Sequence, residues 1–331
     1  MREAIEWIRR HVELRRSGSV ESLYDHMESQ SGEQLPVVYV PFEGAKRGHF
    51  ADRGAILDYV TVCGRGRVLD FGPGDGWPSL LMAPMVQEVV GVDGSRRRVE
   101  VCAKNAARLG LTNASFVHVP PGEPLPFADE SFDGIAAASS VEQTPDPRGT
   151  LRELFRVLKP GGRLRMHYES LSYYAGGREL EMKIGADRGA ADLLVFEREV
   201  AREYVNHYLL VFDLPPEAVR EDLAARPESP AEVLGDLRRH LTEAATWRTR
   251  HPSCRGWLRW LREAGFSSAE ATYDGGWFAE RLFDRLPEDR RPREMAVVDE
   301  MLRPLVEVAV EMTAPSAAPP GEWEPWITAV R

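Results

Sequence analysis

Between Arg67 and Asp93 the chain carries an apolar run, Arg67-Val68-Leu69-Asp70-Phe71, then Gly72-Pro73-Gly74-Asp75-Gly76, then a helical run from Pro78 to Met85. A second β-branched run follows, Glu88-Val89-Val90-Gly91-Val92-Asp93, ending in a carboxylate. Short apolar runs bounded by glycine turns read as buried strands, and alternate glycines allow backbone angles closed to other residues. Strand, glycine turn, helix and strand in this order point to a parallel sheet with right-handed crossovers and helices on both faces.

The alternation continues. Arg96 to Leu109 places Val99, Cys102, Ala103, Ala106 and Leu109 on one helical face, and Ala114 to Val119 reads as a third strand. Phe132 to Ala138 is a fourth, and Leu151, Leu154, Phe155 and Leu158 form an i, i+3, i+4, i+7 stripe on the next helix. Pro160-Gly161-Gly162 stops that helix, and Arg163 to Tyr168 is a fifth strand. Ahead of this core lie a helix from Arg2 to about Arg16, a second from Val20 to about Met27, an extended piece at Val37–Phe42 and a helix from about Arg53 to Val62.

Beyond the fifth strand the pattern changes to an antiparallel excursion, Arg178 to Ile184, Asp192 to Val200 and Tyr204 to Leu214. From Pro215 through Leu234, Leu237 and Leu241 the chain reads as helical, and Gly256 to Phe266 is a helix closed by glycine. Ser268 to Tyr273 is a strand candidate, Glu294 to Met312 is helical, and Trp326 to Val330 is a last strand after a proline-rich break. Four spans result: 1–52, an N-terminal helical cap; 53–170, the α/β core; 171–252, an insertion of antiparallel strands and helices; and 253–331, a C-terminal completion of the sheet with an inserted helical segment.

Composition limits the partners. Fifty-two acidic against 42 basic residues give a net charge of −10, which repels a phosphate backbone and disfavours nucleic acid; Arg96-Arg97-Arg98 and Arg238-Arg239-His240 read as solvated charge runs. Cys63, Cys102 and Cys254 are too widely spaced for a disulfide framework or a Cys-x-x-Cys zinc site. Glu203 and His207 would have metal-ligand spacing only on a helix, and their segment reads as a strand, so no metal is expected. No apolar run approaches the ~20 residues of a bilayer span, and Met1-Arg2-Glu3-Ala4-Ile5-Glu6 lacks a signal-peptide apolar region, so the expectation is a cytoplasmic protein without a membrane partner.

A glycine turn at the end of one strand and a carboxylate at the end of the next admit a nucleotide-like ligand at the sheet's C-terminal edge. A dinucleotide fingerprint would place its third glycine at position 77, where this chain has Trp77. Asp70 adds negative charge just before the turn, which suits a sulfonium ligand bearing an amino group better than an anionic pyrophosphate. The residues alone leave two readings of Asp93, ribose recognition or capping of the next helix, and two of Trp77, packing or ligand contact.

Four segments in order, Val68 to Gly76, Val90-Gly91-Val92-Asp93-Gly94-Ser95, Leu125-Pro126-Phe127 before Ser131-Phe132-Asp133, and Arg156-Val157-Leu158-Lys159-Pro160-Gly161-Gly162-Arg163-Leu164, resemble the class I S-adenosylmethionine-dependent methyltransferases. The resemblance implies a Rossmann-like α/β fold with a seven-stranded, mostly parallel sheet, in which the last strand inserts antiparallel beside the fifth. It implies S-adenosylmethionine as cofactor, S-adenosylhomocysteine as product, and in-line methyl transfer to a small-molecule metabolite. Carried over by position, Gly72, Gly74 and Gly76 meet the methionine and ribose parts, Asp70 lies near the methionyl amine and Asp93 accepts from the ribose hydroxyls. Two departures stand out: Pro121 and Gly122 replace an acidic and a small residue beside the adenine, leaving backbone groups at Gly122 or the Glu123 side chain to read it, and Gln143 replaces a histidine after the fourth strand. Ser139, at that strand's end, completes the expected cofactor set. His167, Tyr168 and Glu169, at the end of the fifth strand, are the candidate catalytic residues.

Acceptor choice falls to the parts outside the core, where Tyr173, Tyr174, Phe196, Tyr204, Tyr208 and Phe212 could line an apolar pocket or pack as core. An insertion of this size suits a shielded small-molecule site or a homodimer surface. The alternatives are an RNA or protein methyltransferase, a non-catalytic protein that binds S-adenosylmethionine, and a nicotinamide oxidoreductase.

Overall fold

The computed structural model describes residues 1–16, 42–169, 179–187, 190–199, 202–315 and 324–331. In chain order it contains α1 (Arg2–His11), β1 (Arg15–Arg16), α2 (Arg47–Cys63), β2 (Arg67–Phe71), α3 (Ser79–Met82), β3 (Glu88–Asp93), α4 (Arg96–Arg108), β4 (Ala114–His118) and β5 (Phe132–Ala138). There follow α5 (Pro147–Val157), β6 (Leu158–His167), β7 (Leu180–Asp187), β8 (Ala190–Glu199), β9 (Tyr204–Phe212), α6 (Pro216–Ala225), α7 (Pro230–Leu237) and β10 (Leu241–Arg250). The chain closes with α8 (Cys254–Ala264), β11 (Ser268–Thr272), α9 (Gly275–Arg285), α10 (Met295–Ala309) and β12 (Trp326–Val330). The expected helix at Val20–Met27, and the extended piece at Val37–Phe42 apart from its last residue, lie outside the described residues.

These elements form two units. The larger is built on a seven-stranded sheet in the order β11-β12-β6-β5-β2-β3-β4. β2, β3, β4, β5 and β6 pair in parallel, whereas β12 runs antiparallel to both β6 and β11. The fold is therefore α/β and Rossmann-like, with its late strand inserted where the resemblance places it. Because the parallel strands point the same way, the exits of β2, β3, β4, β5 and β6 share one edge. Leu69, Val90, Ile135, Leu164 and Ile327 pack with Leu151, Leu154, Trp257 and Leu261 of α5 and α8, while Val68, Val89 and Ala136 pack with Ile56 and Tyr59 of α2. Alternate strand residues thus bury opposite faces, as sheets covered on both sides require.

A buried ion pair fixes the late strands to the core. Arg165 of β6 donates from Nε and Nη2 to Asp58 of α2 at 2.6 and 2.7 Å, both side chains being fully buried. Its remaining donors go to Thr272 of β11 (2.5 Å), Thr328 of β12 (2.9 Å) and the carbonyl of Tyr273 (2.9 Å), so all five guanidinium N–H groups are used. Asp58 Oδ2 also accepts the N–H of Gly275 at 2.8 Å, where α9 begins.

The smaller unit is built on a five-stranded sheet, β1-β10-β9-β8-β7. Leu193, Val195, Leu210 and Phe212 on one face pack with Ile5 and Ile8 of α1, Val219 of α6, and Val233 and Leu234 of α7. Two expectations change here. The first helix ends at His11, and Arg15–Arg16 pairs in parallel with β10. The helical reading of Leu241 also fails: Leu241–Arg250 is a strand paired antiparallel with β9 from Leu241↔Phe212 to Arg250↔Tyr204. Non-local pairing overrides the local preference of its Glu and Ala residues, and Thr242, Thr246 and Thr249 were the β-branched sign of it.

Candidate cofactor and acceptor site

The glycine turn begins where β2 ends. Gly72 donates to Val92 O of β3 at 2.8 Å, has φ of +76°, and a Cβ there would lie 2.4 Å from the Cβ of Ser140. Gly76 is as confined, since a Cβ would lie 2.3 Å from Leu80 Cδ1. Gly74 differs: its φ of +55° favours glycine, yet nothing lies within 4 Å of where a Cβ would be. Two glycines therefore answer to packing, and the middle one leaves the turn open to an approaching group. From below, Cys102 Sγ and Asn105 Nδ2 of α4 reach the carbonyls of Gly74 and Asp75 at 3.2 and 3.4 Å, and Arg98 pairs with Asp75.

Asp93 terminates β3 at 8% exposure. Its Oδ2 accepts the N–H of Gly74 at 3.2 Å and its Oδ1 that of Ser95 at 2.9 Å. The cap of α4 is Ser95, whose hydroxyl accepts the N–H of Arg98 at 3.2 Å, so the capping reading of Asp93 does not hold. A carboxylate at a strand exit, each oxygen steered by a backbone N–H, has the bidentate acceptor geometry that a vicinal diol requires. Asp70 is fully buried; its Oδ2 accepts the N–H and hydroxyl of Ser79 at 3.0 and 2.5 Å, while Oδ1 has no hydrogen-bond partner among the described residues. Burial pushes its pKa up to about 7 against the opposing Ser79 bonds, with the charge of Asp93 adding to the rise. A partnerless buried carboxylate oxygen suits a ligand ammonium.

At the exits of β5 and β6 the structure brings Ser139 and His167 together. Ser139 N donates to His167 O at 3.0 Å, Ser139 Oγ lies 3.0 Å from His167 Nδ1, and the non-glycine Ser139 sits at φ of +48°. Burial lowers the His167 pKa to about 4, with the charge of Arg165 acting the same way, so the imidazole is neutral at neutral pH. Its ring lies 5.3 Å from that of Trp326. Tyr168 goes elsewhere: at 1% exposure it packs in the core beside Trp257, and burial drives its hydroxyl far above the usual range, a placement for packing rather than base catalysis. The N–H of Glu169 donates to Glu142 Oε1 at 2.9 Å.

Gly122 and Glu123 lie in an exposed turn after β4, closed by Glu123 N to Pro120 O at 3.1 Å, with Gly122 at φ of +86°. Trp77 is half-buried, its ring 5.9 Å from that of Tyr59. The insertion aromatics do not form one lining. Tyr208 and Phe212 belong to the helix-covered face of β9, whereas Phe196 packs with Val205 and lies 5.1 Å from His207; alternation along a strand sends these sets to opposite faces. Tyr173 and Tyr174 lie outside the described residues. Glu142 is the site residue that sequence reasoning passed over, visible only as the neighbour of Gln143.

Residues 69–166 match the family described as methyltransferase domain. An uncharacterised methyltransferase, YcgJ, of Bacillus subtilis (strain 168) is 38% identical over 119 residues, covering 35% of this chain and 47% of that protein. A ubiquinone/menaquinone biosynthesis C-methyltransferase, UbiE, of Geotalea daltonii is 37% identical over 108 residues, covering 32% and 46%. The 27-O-demethylrifamycin SV methyltransferase of Amycolatopsis mediterranei is 34% identical over 137 residues, covering 38% and 50%. The chain thus spans about half the length of these relatives. Among solved structures, the CcbJ methyltransferase from Streptomyces caelestis aligns over 85% of this chain and 94% of its own at 12% identity, with a TM-score of 0.47.

Proposed function

We propose that this chain, whose residues 69–166 match a methyltransferase domain, is a class I S-adenosylmethionine-dependent methyltransferase that transfers the sulfonium methyl of S-adenosylmethionine to a small-molecule acceptor. The observation that carries the reading is Asp93, steered by the N–H groups of Gly74 and Ser95 and set beside a left-handed glycine with open space around it. Asp93 would hold the ribose hydroxyls, Gly74 would admit the ligand against backbone, and Asp70 Oδ1 would take the methionyl ammonium. When bound, the sulfonium supplies an already activated methyl group.

The protein's part in such a displacement is alignment and exclusion of water. Ser139 fixes the ring of His167, and a neutral imidazole of such low pKa is a weak base. That suits an acceptor atom that is nucleophilic before it loses a proton, or one already ionised. Similarity to relatives named for C-methyl and O-methyl transfer supports a small-molecule acceptor.

The test is calorimetric titration of the full chain with S-adenosylmethionine, S-adenosylhomocysteine and NAD, followed by a labelled-methyl screen of small-molecule extracts, tRNA and protein. Micromolar binding of the first two with transfer into the small-molecule pool is the expected result. NAD binding alone, transfer only into tRNA or protein, or binding without any transfer would each overturn it.

A further inference from the structure

The exits of β5 and β6 are tied together at three points. Ser139 N meets His167 O, Ser139 Oγ meets His167 Nδ1, and Glu142 Oε1 accepts the N–H of Glu169 at 2.9 Å. Glu142 lies in the 3-10 turn Val141–Gln143, and the turn is braced by Gln143 Nε2 to Ser139 O at 2.5 Å and Thr144 Oγ1 to Val141 O at 2.8 Å. It is 5% exposed, and Oε2 has no hydrogen-bond partner among the described residues. A left-handed Ser139 is a strained conformation that persists only where surrounding bonds over-determine it. The two Ser139 bonds act on His167 directly; the third, from Glu142, holds the chain just beyond it.

We infer that Glu142 is a positioning residue for this sheet edge: accepting the N–H of Glu169, it locks the chain leaving β6 to the turn leaving β5 and so keeps His167 and Ser139 in register. Burial pushes its pKa up to about 8, the Glu169 charge reinforcing the rise against the backbone N–H groups of Glu169 and Glu142 itself. The tie therefore works uncharged at neutral pH, and ionisation would set an uncompensated buried charge beside Glu169. For catalysis the inference rests on the methyl-transfer reading; the tie itself does not.

The experiment compares wild type, Glu142→Gln and Glu142→Leu in the full chain. Amide hydrogen exchange at Glu169 is followed from pH 6 to pH 9 and corrected for intrinsic rates, with S-adenosylhomocysteine affinity as a control on the cofactor side. Glu142→Gln keeps an acceptor oxygen, so Glu169 should stay protected within about twofold, while Glu142→Leu should lose about tenfold, the worth of one ordinary hydrogen bond. In wild type the corrected exchange should rise from pH 6 to about pH 8 and level off above it, and in Glu142→Gln it should stay flat. Transfer of labelled methyl into a small-molecule extract should fall in Glu142→Leu through kcat and be rescued in Glu142→Gln. Unchanged Glu169 protection in Glu142→Leu overturns the inference, as does wild-type exchange that is flat with pH. Failure of wild type to bind S-adenosylhomocysteine would overturn the functional reading instead, and the exchange data would still judge the tie.

Discussion

Asp58→Asn is the most informative perturbation of the larger unit. The substitution preserves shape and removes one charge from a pair that is completely buried, leaving the Arg165 guanidinium beside an amide whose N–H2 must face one of its own N–H donors. Breaking one side of a buried pair costs ~3–5 kcal/mol, because the remaining charge has no water to return to. At ~2–4 °C per kcal/mol for a unit of this size, the melting transition of the seven-stranded sheet should drop by about 6–20 °C. Arg165 also anchors Thr272, Tyr273 and Thr328, so the loss should concentrate in β11 and β12. The assay is urea unfolding with hydrogen exchange on the β12 amides, accompanied by a cycle of Asp58→Leu, Arg165→Met and the double variant Asp58→Leu/Arg165→Met. The double variant should recover ~2–3 kcal/mol relative to additive singles, since no buried charge is left. A loss below ~1 kcal/mol in Asp58→Asn, or additive singles, would refute the claim that this pair bolts the late strands to the core.

Asp93→Asn should weaken S-adenosylmethionine binding by ~10- to 100-fold, as charge-assisted bonds become neutral ones. Asp93→Ala, in contrast, should also lower the melting temperature, because Gly74 and Ser95 lose their acceptor; an affinity unchanged in the Asn variant would count against ribose recognition. Gly72→Ala should destabilise the protein by ~2 kcal/mol or more through its clash with Ser140. Gly74→Ala should cost only the ~1 kcal/mol of left-handed backbone and act mainly on ligand affinity, and urea unfolding with calorimetry would separate the two. Asp70, with its folded pKa raised to about 7, binds a proton more tightly folded than unfolded, so its contribution to stability falls as pH rises from about 4 to about 7. Cofactor affinity should rise over the upper part of the same window as the carboxylate forms, and Asp70→Asn should flatten both dependences; a pH-independent affinity in wild type would contradict the assigned ammonium contact.

Local sequence determined the core of this protein to a large extent. Alternating apolar runs, glycine turns and stops placed β2 to β5 within a residue or so, because central strands covered on both faces are mostly apolar and left-handed turns favour glycine. The donor side of the site was legible for the same reason: Gly74 and Asp93 sit at consecutive strand exits, and their spacing follows from the crossover. What sequence could not supply were the effects of distant partners. Leu241–Arg250 became a strand because β9 offered it an edge, and Tyr208 and Phe196 were separated by strand alternation that composition does not reveal. Arg165 looked like one more strand residue until Asp58, Thr272 and Thr328, brought from three separate stretches of chain, surrounded it. Glu142 is a surface-type residue by composition, and only burial beside Glu169 makes it an acid that holds its proton. Short-range periodicity is a local property and survives in the sequence; burial and charge pairing depend on which segments meet, and that is settled only when the chain has folded.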